Sequence, residues 1–446
     1  MTAGFASLDS RRSMRPALSA HFQSDGGDLM MITKQNKSCV TALTGMIVLL
    51  VTSIDAQAFE SIKMGNWDVD ISGNINAFFT SIDCEPNVIG ADVDAGLACG
   101  SNGVDRTVGN VQTGLLPSWF GLHAKHESSD YTTEINIGFQ PGVDGGGGAI
   151  DTGLALNSEN LRQVNLKFGS DWGTIMLGRD LGVFGSDAIL ADMTLLGVGT
   201  VSDLAAFGGN TTLGRIGVGY LYADWKAQIQ YSSPSFNGFS FTVALVDPWG
   251  LFDLSGQSLD QGSFDQQGDT YGFEGKGVYE FGGGAGSTVS GKVWASFITQ
   301  SLDSSTLASQ DATGFDVGAK VALNDFEIVG YFYSGEGIGT LTFLWDAVDD
   351  NGNTRDSDGF YVQGTYKLPG SGTKLGISFG ESNLDLATGE VVSDLVETNE
   401  SFVIGVYHPL TPSLNLVLEY TKTEATAHSG NSAEEGTIAI GAILFY

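Results

Sequence analysis

The chain has 446 residues, with 52 acidic against 20 basic side chains and a net charge of −32. Such an excess excludes nucleic acid as a partner, because phosphate binding needs a basic face. With 42% of residues hydrophobic and 10% aromatic, the sequence is too apolar for intrinsic disorder, yet it holds no run of 18 apolar residues, so no helix spans a membrane.

The opening of the chain reads as processing rather than fold. Met31 is followed by Lys34 and Lys37, then by the apolar stretch Val40–Val51 and the Ala56-Gln57-Ala58 site. Basic, apolar and small-residue segments in that order describe a secretory signal peptide over residues 31–58. Residues 1–30 then form an upstream extension from a start placed too early. Arg11 and Arg12 do not make a twin-arginine signal, because no apolar core follows them. Removing residues 1–58 takes five of the 20 basic and four of the 52 acidic residues, leaving 15 and 48, a net of −33.

Residues 59–446 repeat one pattern: about ten residues of alternating character, then punctuation. In Val289–Phe297, Val289, Val293, Ala295 and Phe297 oppose Ser290, Lys292, Trp294 and Ser296. Phe360–Lys367 and Asn415–Thr421 alternate in the same way. Thr437–Tyr446 sets Ile438, Ile440, Ala442, Leu444 and Tyr446 on one face, and its other face is smaller but not polar. Alternation alone fits a soluble sandwich as well as a membrane barrel.

The connections decide between them. Short ones fall at 127–130, 233–238, 282–287, 324–325, 369–372 and 411–413. Between them lie eight long polar stretches, at 83–107, 141–157, 180–213, 248–268, 301–311, 337–356, 383–396 and 426–435. One long loop per hairpin makes about sixteen strands, and short turns on one side with long loops on the other is the outer-membrane arrangement. The fold expected is an all-β transmembrane antiparallel barrel, its last strand pairing with the region Trp67–Phe79 so that no edge remains.

Ser118–Glu127, Leu161–Asp180 and Gln230–Leu245 resemble successive hairpins of the trimeric general porins of Gram-negative outer membranes. The 180–213 stretch resembles that family's third loop, which folds inward and narrows the pore. The resemblance implies a homotrimer in the outer membrane, in contact with lipid and lipopolysaccharide. It also implies that Tyr446 serves as the signal read by the barrel-assembly machinery. It carries Arg162, Arg179 and Arg215 onto the basic side of the pore constriction, with Asp187, Asp192 and Asp203 as acids on the loop. Two positions depart from the pattern: Trp119 stands where an arginine is expected, and Ala206 where a glutamate is expected. Strict alternation also groups Arg162 with Val164, Leu166 and Phe168, so it reaches the lumen only if the strand carries a bulge or Arg162 lies near its end.

Cys84 and Cys99 remain after processing, and in an exported chain a lone pair at that spacing closes a loop as a disulfide. No G-x-S-x-G, HExxH or spaced Cys/His set is present, so neither an enzyme nor a metal or other cofactor is expected. The acidic stretch 345–359 fails the calcium-loop spacing, because Thr354 and Arg355 interrupt it. The function expected is passive diffusion of small hydrophilic solutes and ions, with mild cation preference set by acidic vestibules. The alternative is a solute-selective channel, in which Trp119, Trp294 and Tyr361 form an aromatic track. A secreted soluble β protein or adhesin, and a barrel enzyme, are the remaining readings.

Overall fold

A computed structural model describes residues 61–143, 161–201, 211–249, 271–283, 287–302, 309–349, 351–391 and 393–446. The expected upstream extension and signal peptide lie outside these residues, as does Asp203. The strands are β1 (Ile62–Met64), β2 (Trp67–Pro86), β3 (Arg106–Gln112), β4 (Trp119–Glu127), β5 (Thr132–Phe139), β6 (Leu161–Ser170), β7 (Gly173–Leu181), β8 (Trp225–Ser232) and β9 (Phe239–Val246). They continue with β10 (Gly272–Gly282), β11 (Val289–Leu302), β12 (Gln310–Leu323), β13 (Phe326–Glu336), β14 (Asp356–Lys367), β15 (Lys374–Leu384), β16 (Val396–Pro409), β17 (Leu414–Ala427) and β18 (Ser432–Phe445).

Each strand pairs antiparallel with the next, except that β3 and β4 both pair with β2, and β18 pairs with β2 from Phe445↔Asn74 to Ala433↔Pro86. The sheet is therefore a closed barrel of sixteen staves. The second stave is made of two pieces. β3 pairs with the upper half of β2 and β4 with its lower half. Between them Thr113–Ser118 leaves the sheet, and Asn74 and Asn76 bind it by donating to the carbonyls of Pro117 (3.1 Å) and Leu116 (2.7 Å).

The outward face is the apolar parity of every strand. Ile75, Ile137, Leu166, Ile229, Phe297, Ile328, Val362, Ile404, Leu418 and Ile440 are all exposed on it. Such a belt is stable against hydrocarbon and not against water. The inward parity holds Trp294, Ser296, Tyr361, Gln363, Val417, Glu419 and Thr421, all buried. Turns at one end are short. Leu323 pairs directly with Phe326, and Asn324 supplies the positive φ (53°) that a two-residue hairpin needs. The strand ends that the longer connections join lie at the other end.

Candidate functional site: the lumen and its inward loops

The third loop runs from β7 to β8 and folds into the barrel, as its place in the sequence suggests. Gly185 at φ 72° turns the chain into a short helix α1 (Ser186–Ala191), followed by one 3-10 turn at Met193–Leu196. Asp192 caps that turn, accepting from the Thr194 backbone N–H at 2.9 Å and from its hydroxyl at 2.7 Å.

This loop is held by the wall through its backbone. Glu274 on β10 accepts from the N–H groups of Val183 (2.6 Å) and Phe184 (2.8 Å). Asp316 on β12 accepts from Gly185 N–H at 3.1 Å. Glu419 on β17 accepts from Val198 (2.7 Å) and Gly199 (2.9 Å), and also from the Tyr407 hydroxyl. Gln363 on β14 makes a reciprocal pair, accepting from Met193 N–H and donating to Ala191 O. A folded-in loop has few strand partners for its amides, and these side chains satisfy them. Beneath the loop, Phe184, Ile189, Tyr220 and Leu221 pack on Trp294, Tyr331 and Tyr361 in an apolar core inside the lumen.

Five of the six residues expected at the constriction are described, and they separate in this arrangement. Asp187 is buried and paired with Lys276 (2.6 Å) and Lys292 (2.5 Å) of the wall. Burial opposes its ionisation, but the two ammonium groups outweigh that and hold its carboxyl well below the usual carboxylate range. Asp192 is buried as a cap and accepts from the Tyr220 hydroxyl at 2.9 Å; burial pushes its carboxyl upward against the pull of Arg215. Arg215 is 0% exposed and donates to Ser378 Oγ (2.6 Å) and Ser401 O (3.1 Å). Burial pushes its guanidinium down, with Asp192 opposing. Asp187 and Arg215 therefore fasten the loop to the far wall, and Asp192 braces the loop internally, instead of lining the passage.

Arg179 is opposite Val164 and Ala227 in the ladder, the outward row, while its neighbour Asp180 faces in. Arg162 is different. The β5–β6 ladder pairs Gly138 with Gln163 and Phe139 with Leu161, so Arg162 is the extra residue of a bulge. A bulge breaks alternation, and Arg162 lines the lumen.

Between the third loop and the β2–β6 wall lies a cavity of about 390 Å³. From the wall come Arg106, Asn110, Gln112, Trp119, Arg162 and Gln163, and from the second stave's break Leu115, Leu116 and Pro117. The loop contributes Ile189, Leu190, Leu195, Leu213 and Ile216. Asp224 is the carboxylate among the lining residues. Its Oδ1 accepts from Trp225 N–H (2.6 Å) and its Oδ2 from the Thr342 hydroxyl (3.0 Å). The expected track of three aromatics is reduced to Trp119, because Trp294 and Tyr361 are covered by the loop.

Two further loops reach this space, which the sequence reading did not foresee. Cys84 and Cys99 form a disulfide that ties the first loop to β2 at the cavity edge. Cys99 N–H donates to Glu435, and Asn399 brackets Ala95 and Leu97. The loop between β13 and β14 brings in Leu341, Thr342 and Trp345. At its end, Arg355 grips Glu390 of the connection between β15 and β16 through two nitrogens (3.0 and 2.5 Å).

A closed sixteen-stave barrel, apolar outside and narrowed inside by its third loop, defines an outer-membrane channel. The chain belongs to the Gram-negative porin family, whose pattern it matches over residues 42–428. Solved structures of the same fold include the outer membrane channel DcaP of Acinetobacter baumannii, with 15% identity, 87% of this chain and 100% of that chain covered, and a TM-score of 0.59. An anion-selective porin from Comamonas acidovorans aligns at 12% identity over 85% of this chain and 100% of its own, with a TM-score of 0.57. The trimer form of OmpT from Vibrio cholerae aligns at 14% identity over 85% and 99%, with a TM-score of 0.51. No curated protein sequence matches. Family and fold are those of a channel and not of an enzyme.

Proposed function

We propose that the protein lets small solutes and ions diffuse passively across the outer membrane, with no energy coupling. The observation that carries this reading is the cavity left between the inward third loop and the β2–β6 wall. Small ions meet an acid-rich surface first, so mild cation preference is the expectation at low salt. Screening shortens the reach of those charges to about 8 Å at physiological ionic strength, so the preference fades as salt rises. Reversal potentials in a salt gradient test it, and strong anion selectivity at low salt would refute it. The reading includes export by the segment 31–58 and assembly through Tyr446. It also includes trimers embedded in lipid and lipopolysaccharide, the trimer supported by the form in which the Vibrio cholerae relative is described.

A second reading, a solute-selective channel, is favoured by the lining of the narrow region. Leu115, Leu190, Leu213 and Ile216 make its surface far less polar than free diffusion of hydrophilic solutes needs. Planar-bilayer conductance establishes the pore, and liposome swelling with graded solutes separates the two readings. A smooth size cutoff supports general diffusion, and one solute class passing far ahead of its size supports selectivity.

A further inference from the structure

The cavity gathers half-buried apolar side chains from separate parts of the chain. Leu190 and Leu213 of the third loop, Leu116 from the second stave's break and Leu341 between β13 and β14 all line it. Each packs on the apolar core beneath the loop with one side and leaves the other to the cavity. Single leucines at a surface are ordinary. Four of them, brought from three connections to one concave space, are the lining of a ligand site.

The charged groups of the described lining already have partners. Asp224 has both oxygens engaged, by Trp225 and Thr342. Arg106 and Arg162 each hold interactions of their own. A charged solute would give up water here without meeting a group set aside for it. Asn110 on β3 is exposed in the same lining, and its amide offers a donor and an acceptor without net charge.

Trp119 adds a flat surface. Its ring rests against the paired Gly121 and Gly138, where an added Cβ would approach the indole to 2.4 and 3.1 Å. The indole nitrogen is buried against those glycines, so the ring presents carbon to the cavity. At about 390 Å³ the space sits at the lower end of the range for small-ligand sites.

Resting on the solute-selective reading, we propose that the cavity is a subsite for small uncharged solutes that join one compact apolar body to hydroxyl or amide groups. The body, a single aromatic ring or a branched aliphatic group, lies between Trp119 and the leucines of the third loop. The polar part stays toward Asn110. A solute without the body gains nothing from the leucines, and a charged one loses hydration.

The test uses the full protein in planar bilayers, with phenyl β-glucoside, methyl β-glucoside and phenyl β-glucuronide as probes at equal ionic strength. Phenyl glucoside is expected to reduce the unit current saturably, at concentrations about tenfold below those needed of the other two. A Leu190→Asn, Leu213→Asn double variant should bring the phenyl and methyl glucosides within about twofold of each other. Leu190→Met, Leu213→Met should keep them apart. Comparing two probes on the same open channel separates loss of the subsite from loss of folding. Equal effects of the two glucosides, a stronger effect of the anionic glucuronide, or a phenyl preference unchanged by the Asn pair would overturn the subsite. Liposome swelling then tells the failures apart: a smooth size cutoff removes the solute-selective reading too, and preference for another solute class removes the subsite alone. Absence of any unit current from the reconstituted protein overturns the channel reading, and the subsite with it.

Discussion

Two parts of the lumen wall face the third loop, and they are built differently. From β10 to β18 the wall holds the loop, and its polar side chains point at backbone amides: Glu274, Asp316, Gln363 and Glu419. From β2 to β6 the wall stands off, bearing arginines, amides and one indole around open space. The strands differ too: β11, β12, β16, β17 and β18 each run 14 residues, whereas β3 has 7 and β6 has 10. The contrast teaches that a carboxylate inside a barrel is not by itself a pore charge. One that accepts two or three buried N–H or O–H donors is a structural anchor, and its field is largely absorbed locally.

Removing an anchor should break the contrast most strongly. Glu419→Ala leaves two backbone N–H groups and the Tyr407 hydroxyl without their acceptor, weakening loop docking by about 3 kcal/mol. Single-channel recording should then show larger, noisier unit currents. Gly197→Ala attacks the same contact by crowding, since its Cβ would fall 2.1 Å from Glu419 Oε1, whereas Gly436→Ala meets nothing within 4 Å and should be silent.

Acid sharpens the comparison. The Asp187 carboxyl is held below its ordinary range, so its stabilising contribution is complete above the unfolded-state value near pH 4 and is lost only as pH falls through the lower folded value. The Asp187 contribution to loop docking should therefore persist down to about pH 4, and Asp187→Asn should loosen the loop already at neutral pH. An early acid transition abolished by Asp187→Asn would contradict this. The smallest effect belongs to the disulfide, which spans 15 residues of sequence. Reducing it frees about 3 kcal/mol of unfolded-chain constraint on the first loop. Protease sensitivity between residues 87 and 98 should rise while the barrel's melting temperature barely moves, because ladder bonds on both sides of β2 persist.

Much of the barrel is legible in the sequence, since lipid and lumen impose opposite chemistry on alternate residues. Val293, Ala295 and Phe297 against Lys292, Trp294 and Ser296 already state which face is which. Loop lengths give the strand count because every second connection is short. The lumen is harder to read. Whether Asp187 looks at the passage or the far wall depends on how a six-residue helix docks, and no local pattern encodes that. The anchors Glu274 and Glu419 look like ordinary inward polar residues until the loop amides are placed beside them. Arg162 is the intermediate case: parity announces a conflict, and the ladder shows the single extra residue that resolves it.

That extra residue makes chain length a selector of chemistry. The one position between Leu161 and Gln163 is Arg162 itself, so deleting it would restore regular pairing with β5 and take the guanidinium out of the passage, with every stave still in place. Reinserting a different residue there would rebuild the bulge and offer that side chain to the passage instead. In a wall of this kind, a three-nucleotide slip at a strand's loop end rewrites the ionic character of the narrow region without any substitution. Families of such channels can therefore diverge in what they admit through indels as readily as through replacements.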